Sequence, residues 1–302
     1  MIIVTSGSRF IDIDGLACVI AYEELLRKSN IEVTHYLVDS FTENIPQLVK
    51  DFGYTLNTKI PSCNEDTHFV IVDISELGFI PDFINIDKID KIFDHHFGYQ
   101  KYWQDKLGEN SHIKEIGACA TLIYEEWVKA GMLPSISQLS ANLLITAIIS
   151  NSLNFKASVT KEEDKIAYTA LMQYGTVSSE WPEVYFSTVS SNIYSNPIKA
   201  LQNDTKTFVI EGKTVNIGQL EVWESSKLFI DGYKNIKEHL KEEKYKGFVT
   251  IADISNGFNS IICIDHEFKD LLKRKLGFTF DGDMYTTDLL YLRKELIKGL
   301  MS

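Results

Sequence analysis

The first half of the chain alternates short, apolar, β-branched runs with segments of helical spacing, and few folds accept that pattern. Residues 2–5, 31–38, 69–74 and 91–93 are the strand-like runs. Between them, residues 15–28 place Leu16, Val19, Ile20, Glu23 and Leu26 at helical intervals, and residues 45–52 read as a second helix. Strands that are apolar on both faces need cover on both faces, which helical crossovers supply in a parallel sheet. Residues 118–130, 136–149 and 160–174 continue as helices, with Thr160 and Glu163 spaced as a capping box.

Periodicity weakens over residues 176–196, where Ser-Ser-Glu-Trp-Pro and Ser-Ser-Asn-Ile-Tyr-Ser-Asn-Pro carry turn formers. This reads as a domain connection, dividing the chain into residues 1–180 and 195–302. The length of 302 residues suits two domains. Beyond the connection, residues 206–210 and 214–222 form a hairpin pattern around Glu211-Gly212-Lys213. Residues 248–254 and 260–264 read as two more strands around Asn256-Gly257, and residues 227–241, 266–276 and 288–300 as helices.

Charge narrows the function. Forty-two acidic against 30 basic residues give a formal net charge of −12, so a broad nucleic-acid-coating surface is not expected. A small anion still fits where local cations or metals override the global field. The longest apolar runs, such as residues 143–149, are too short to span a bilayer. Met-Ile-Ile-Val has no basic segment before it and runs into a strand, unlike a signal peptide. Cys18, Cys63, Cys119 and Cys263 are widely spaced with no CxxC pair, which points to a reducing, cytoplasmic setting without a zinc-thiolate site.

The chemistry-bearing residues gather where elements end. Asp12-Ile13-Asp14-Gly15 follows the first strand, Asp73-Ile74-Ser75 a later one, and Asp94-His95-His96 the run at 91–93; Ser150-Asn151-Ser152 closes a helix. Ligands of open parallel sheets collect at the carboxyl ends of the strands. Carboxylates mixed with imidazoles suit Mn²⁺, Co²⁺ or Mg²⁺. A carboxylate bridging two such ions is a recurring means of activating water against phosphorus. Plainer readings stay open for single residues: Asp12 and Asp14 also suit a helix cap, and Asp73 a turn. Adjacent histidines after an aspartate, with acidic clusters at successive strand ends, are harder to explain that way. His35, His68, His112, His239 and His266 lack such neighbours and read as surface or core residues.

Asp-x-Asp after the first strand, Val-Asp-x-Ser at 72–75, Phe-Asp-His-His at 93–96 and Asn-Ser-Leu-Asn-Phe-Lys-Ala-Ser at 151–158 resemble the four motifs of the DHH phosphoesterase superfamily. Gly117-Ala-Cys-Ala-Thr-Leu-Ile-Tyr is similar to the helix that follows the DHH segment there. Asp204-Thr-Lys-Thr-Phe, Glu211-Gly-Lys, Ile217-Gly-Gln-Leu-Glu and Leu292-Arg-Lys-Glu resemble the DHHA2 domain of family II inorganic pyrophosphatases and prune-type exopolyphosphatases. The resemblance covers nearly the whole chain. It implies an α/β protein of two domains, a parallel-sheet DHH domain and a mixed-sheet DHHA2 domain, with the active site in the cleft.

Carried over by position, the resemblance makes Asp12, Asp14, Asp73 and His95 ligands of two metal ions, Mn²⁺ or else Mg²⁺ or Co²⁺, with Asp73 bridging. His96 becomes an acid or phosphate contact beside the leaving group. Lys206, Arg293 and Lys294 become the cations that grip phosphate, by a bidentate fork for Arg and a point charge for Lys. Two positions depart from the family: Ser8 stands where a histidine is expected, and Asn151 where an acidic residue is. Both are weak, neutral oxygen ligands at best. Arg9, beside Ser8, is a further candidate phosphate contact, or simply an exposed residue.

The expected activity is hydrolysis of a phosphoanhydride, in short-chain polyphosphate or pyrophosphate, by metal-activated water. A phosphodiesterase acting on nucleotides or short oligonucleotides is the alternative, though no Gly-Gly-Gly-His-like segment is present. A degenerate, non-catalytic anion binder, motivated by Ser8 and Asn151, is a third reading. The partners expected are a small phosphate-containing substrate and, as an open alternative to a monomer, a second copy in a homodimer.

Overall fold

The computed structural model describes residues 1–7, 9–42 and 44–301, with the side chain of Asp231 also left aside. The chain divides into two compact units, one of Met1–Phe155 with Val159–Pro182, the other of Lys156–Ser158 with Glu183–Ser302.

The first unit runs β1 (Ile2–Thr5), α1 (Ile13–Lys28), β2 (Val33–Tyr36), α2 (Gln47–Lys50), β3 (His68–Val72), β4 (Ile89–Asp94), α3 (Gln100–Leu107), β5 (Ser111–Ile113), α4 (Cys119–Lys129), α5 (Gln138–Asn151) and α6 (Glu162–Leu171). Its strands form one sheet in the order β2-β1-β3-β4-β5, every pair parallel. Ile3, Phe69, Ile71, Ile92 and the fully buried Trp103 pack together in one core cluster, and α1 packs on α4 and α5. With all strands parallel, the segments after β1, β3 and β4 leave the same edge of the sheet, and these carry the acidic and histidine clusters.

Several boundaries differ from expectation for local reasons. Helix α1 begins at Ile13 because Asp12 caps it, its Oδ1 accepting from Gly15 N at 2.9 Å. The helix expected at 45–52 shrinks to four residues. The capping box sits one residue later than Thr160 and Glu163: Asp164 Oδ2 reaches back to Lys161 N at 2.8 Å. Helix α3 and strand β5 were not anticipated, because their sequences are too polar and too short to show a period.

The second unit contains most of α7 (Trp181–Ser195), then α8 (Pro197–Asn203), β6 (Thr205–Ile210), β7 (Lys213–Val222), α9 (Ser225–Asp231), α10 (Tyr233–Glu242), β8 (Gly247–Asp253), β9 (Phe258–Ile262), α11 (His266–Leu276), β10 (Met284–Thr286) and α12 (Arg293–Met301). The strand order is β10-β9-β8-β7-β6, with β7 and β8 parallel and the other pairs antiparallel, so the sheet is mixed. Its apolar residues fall into two clusters, one around Phe248 and Phe268 and one around Ile236 and Leu240. Glu211 and Gly212 turn the β6–β7 hairpin at φ 49° and 77°, the two positive values a type I′ turn requires.

The stretch at 176–196 is the clearest departure from the sequence reading, since most of it is the 15-residue helix α7. Tyr185, Phe186, Val189 and Ile193 are buried at helical spacing, and the surrounding serines and asparagines masked them. The helix expected at 227–241 breaks at Gly232 into α9 and α10. Helix α12 starts at Arg293 rather than 288, and before it the Asn259 side chain exchanges hydrogen bonds with Tyr291 N and O, which takes both backbone groups out of helical pairing. Among the described residues, no helix is long and apolar enough to cross a membrane.

Candidate metal centre

The β1–α1 junction places the first two carboxylates. Gly15 lies so close to the end of β1 that a Cβ there would stand 2.7 Å from Ser6 Oγ. That close approach sets Asp12 at the helix cap and Asp14 in the first turn of α1. Asp14 is fully buried: Oδ2 accepts from Cys119 N and Oδ1 from Ala120 N, both at 2.8 Å, and the Cys18 thiol donates to Oδ1 at 3.5 Å. Burial first, and the charge of Asp12 second, raise Asp14 to about 7 despite those hydrogen bonds.

Asp73 follows β3 in a left-handed turn at φ 61°, with its N–H donating to Phe93 O at 2.8 Å. It is buried, and its acidity is weakened by desolvation, then by Asp14 and Asp12. Asp73 Oδ1 accepts no hydrogen bond among the described residues. It lies 3.5 Å from His95 Nε2 and 4.0 Å from His96 Nδ1.

His95 pairs its Nδ1 with Ile116 O at 3.2 Å. A carbonyl only accepts, so Nδ1 carries the proton and the Nε2 lone pair lies toward Asp14 Oδ2, at 3.6 Å, and Asp73 Oδ1. A lone pair set against two carboxylates is repulsive by itself and fits a cation. A backbone carbonyl holding the other nitrogen is the usual support for a ligating histidine. An orphaned buried carboxylate oxygen and an inward lone pair together match a divalent ion bound by oxygen and nitrogen donors. Asp73, His95 and His96 each bring one donor atom within 4.8 Å of the others.

His96 is half-exposed, and its Nδ1 donates to Asp94 Oδ1 at 2.8 Å. The same oxygen accepts from His95 N at 2.7 Å and His96 N at 3.1 Å. Burial works to raise Asp94, but the hydrogen bond and charge of His96 outweigh it and hold Asp94 at about 2.

The remaining expected site residues lie in different settings. Ser8 lies outside the described residues. Asn151 ends α5, its Nδ2 turned back to Ala147 O at 3.4 Å. The Arg9 guanidinium lies 4.6 Å from the centroid of the Phe79 ring, a cation–π contact. In the second unit, Lys206 stands opposite Ile217 across the β6–β7 pair, and Lys294 is exposed in the first turn of α12. Arg293 is buried, against the expectation of an open phosphate fork. Its NH2 donates to Asp204 Oδ1 at 2.6 Å, and its NH1 to Asp204 O and Ile217 O at 2.5 and 3.3 Å. The supporting groups that sequence reasoning missed are Asp94 as the partner of His96, Ile116 O, and the N–H groups of Cys119 and Ala120. The signal for the last was the small-residue run Gly117-Ala118-Cys119-Ala120 opening a helix.

No family model matches the chain. A probable manganese-dependent inorganic pyrophosphatase of Staphylococcus carnosus is 27% identical over 264 residues, covering 86% of this chain and 79% of the relative. A manganese-dependent inorganic pyrophosphatase of Methanocaldococcus jannaschii is 26% identical over 268 residues, 83% of each chain. Among solved structures, a putative family II inorganic pyrophosphatase of Methanococcus jannaschii superposes with a TM-score of 0.70 at 23% identity, covering all of both chains. An exopolyphosphatase-related protein of Bacteroides fragilis gives 0.51 at 13% identity, over 99% of this chain and 89% of that one. Over most of its length the chain is therefore similar to the manganese-dependent inorganic pyrophosphatases, and it has the fold of a family II member.

Proposed function

We propose that the chain is a divalent-metal-dependent hydrolase of phosphoanhydride bonds, acting on pyrophosphate or short-chain polyphosphate with Mn²⁺. The observation that carries this reading is the convergence of Asp14, Asp73 and His95 around an orphaned buried oxygen at the carboxyl edge of the parallel sheet. The names of the two sequence relatives and their coverage of the chain support it.

Asp12, Asp14, Asp73 and His95 would hold the ions, with Asn151 and Ser8 as weak oxygen donors. Two ions, when bound, would supply Lewis acidity toward phosphoryl oxygen and lower the pKa of water. Asp94 fixes the tautomer of His96, so that the half-exposed ring can hold or pass a proton at Nε2 beside a leaving phosphate. Lys206 and Lys294 would bind phosphate oxygens as point charges, and Arg9 is a weaker candidate for the same role. Arg293, pinned by Asp204, would contribute a fixed positive charge beside them.

The test is phosphate release with Mn²⁺ from pyrophosphate, tripolyphosphate, nucleotides and a dinucleotide. Turnover of either of the first two supports the proposal. Turnover of the dinucleotide alone moves the reading to a phosphodiesterase, and no turnover by folded protein ends it.

A further inference from the structure

Four consecutive backbone N–H groups at the start of α4 are divided between two buried carboxylates. Gly117 N donates to Asp164 Oδ2 at 2.9 Å and Ala118 N to Asp164 Oδ1 at 3.4 Å. Cys119 N and Ala120 N donate to the two oxygens of Asp14. The N–H groups of a helix's first turn have no partner within the helix, and they favour negative charge. One carboxylate uses that property to hold the helix start, and the other uses it to be held.

We infer that Asp164 is a positioning residue for the metal centre: it fixes the 117–118 peptide, and through it aims the Cys119 and Ala120 N–H groups at Asp14. The inference rests on the proposed role of Asp14 as a metal ligand. Asp164 is fully buried and heavily committed, accepting also from Thr121 Oγ1 at 2.6 Å and Lys161 N at 2.8 Å. One side chain thus fastens the start of α4 at both its N-terminal loop and its first turn, and ties it to the start of α6. The fit leaves no slack at Gly117, where a Cβ would stand 2.5 Å from Asp164 Oδ2. Asp14 in turn depends on this anchor, because two of its three described hydrogen-bond donors, the N–H groups of Cys119 and Ala120, lie in the first turn of α4, and the third is the buried thiol of Cys18. A shift in the α4 start would leave a buried carboxylate with fewer donors and a different direction.

The experiment is calorimetric titration of the full chain with Mn²⁺, comparing wild type, Asp164→Asn, Gly117→Ala and Glu24→Gln. Asp164→Asn replaces an acceptor oxygen with an NH₂ group that faces donors. Gly117→Ala displaces the same peptide and leaves the Asp164 charge intact, so it carries the test if Asp164→Asn does not fold. Glu24→Gln perturbs the same unit elsewhere, where Glu24 accepts from Ser137 and Ser140. The expected result is Mn²⁺ affinity weakened about ten-fold or more by Asp164→Asn, as for other supporting-shell changes, and in the same direction by Gly117→Ala. Glu24→Gln should stay within about two-fold of wild type, the scatter expected for a distant independent site. Wild-type affinity in folded Asp164→Asn and Gly117→Ala, or equal weakening in all three variants, overturns the positioning role while leaving the proposed function standing. A wild-type chain that binds no Mn²⁺ overturns the proposed function, and the inference with it.

Discussion

Asp94 Oδ1 accepts the Nδ1–H of His96 at 2.8 Å, and it accepts the backbone N–H groups of His95 and His96 as well. Three donors on one buried oxygen fix both the tautomer and the tilt of an imidazole that is otherwise half-exposed. The adjacent histidines are thereby given different jobs. His95 faces the carboxylates with a lone pair, and His96 is held to handle a proton.

This division predicts the effect of His96→Gln. Phosphate release should fall about 100-fold or more, the low end for loss of a positioned acid. Mn²⁺ affinity should stay within a few-fold of wild type in calorimetry. A large loss of Mn²⁺ affinity would instead make His96 a metal ligand.

Asp73→Asn should separate stability from function. The buried Asp73 carboxylate sits near Asp14 and Asp12, so its charge disfavours the metal-free fold. Asn tolerates the left-handed backbone found at this position. Metal-free Asp73→Asn should therefore gain on the order of 1 kcal/mol, read as a rise in melting temperature. It should lose the further rise that Mn²⁺ gives wild type. A drop in metal-free stability would contradict the electrostatic account.

Arg293 and Lys294 are neighbours with contrasting environments. Removing the buried guanidinium in Arg293→Met takes the donor from Asp204 Oδ1 and one donor each from the Asp204 and Ile217 carbonyls, and should cost about 2–3 kcal/mol by denaturant melts. Lys294→Met, at an exposed position, should leave stability within about 0.5 kcal/mol and raise KM for a phosphate substrate. Equal destabilisation by the two would remove the structural role given to Arg293.

The second unit should carry its own acid sensitivity. Lys237 and Lys269 hydrogen-bond to Asp283 at 2.6 and 2.7 Å and hold its carboxyl below the usual range. A carboxylate with a depressed folded pKa stabilises above its unfolded pKa of about 4, and that stability is lost as pH falls through the folded value. Asp283→Asn should lower the melting temperature at pH 7, and the gap to wild type should narrow as pH falls from about 4 through the folded value. A gap that does not change with pH would assign the loss to packing.

Asn151→Asp tests the departure at the end of α5. A carboxylate at this position should raise Mn²⁺ affinity and phosphate release if it reaches the ions. No change in either would remove residue 151 from the ligand set.

The parallel sheet was legible because β1 and β3 are nearly continuous apolar runs, whereas β4, with Asp90 and Lys91 in its first half, showed only at its Ile92-Phe93 end. The clusters at their ends were legible for the same reason: Asp14, Asp73 and His95 are polar residues at the edges of apolar text. Helix α7 was not, since its apolar stripe of Tyr185, Phe186, Val189 and Ile193 is diluted by serine and asparagine. Arg293 read as a free fork because a sequence does not show Asp204 coming from 89 positions away to occupy it. The support from Asp164 was hidden similarly, as contacts at separations of 46 and 47 residues leave no local pattern.

The most direct test is anomalous diffraction from a crystal soaked in Mn²⁺. The account predicts a manganese peak within bonding distance of His95 Nε2 and the Asp73 carboxylate. Manganese found only at surface carboxylates, with His95 and Asp73 unligated, would contradict it.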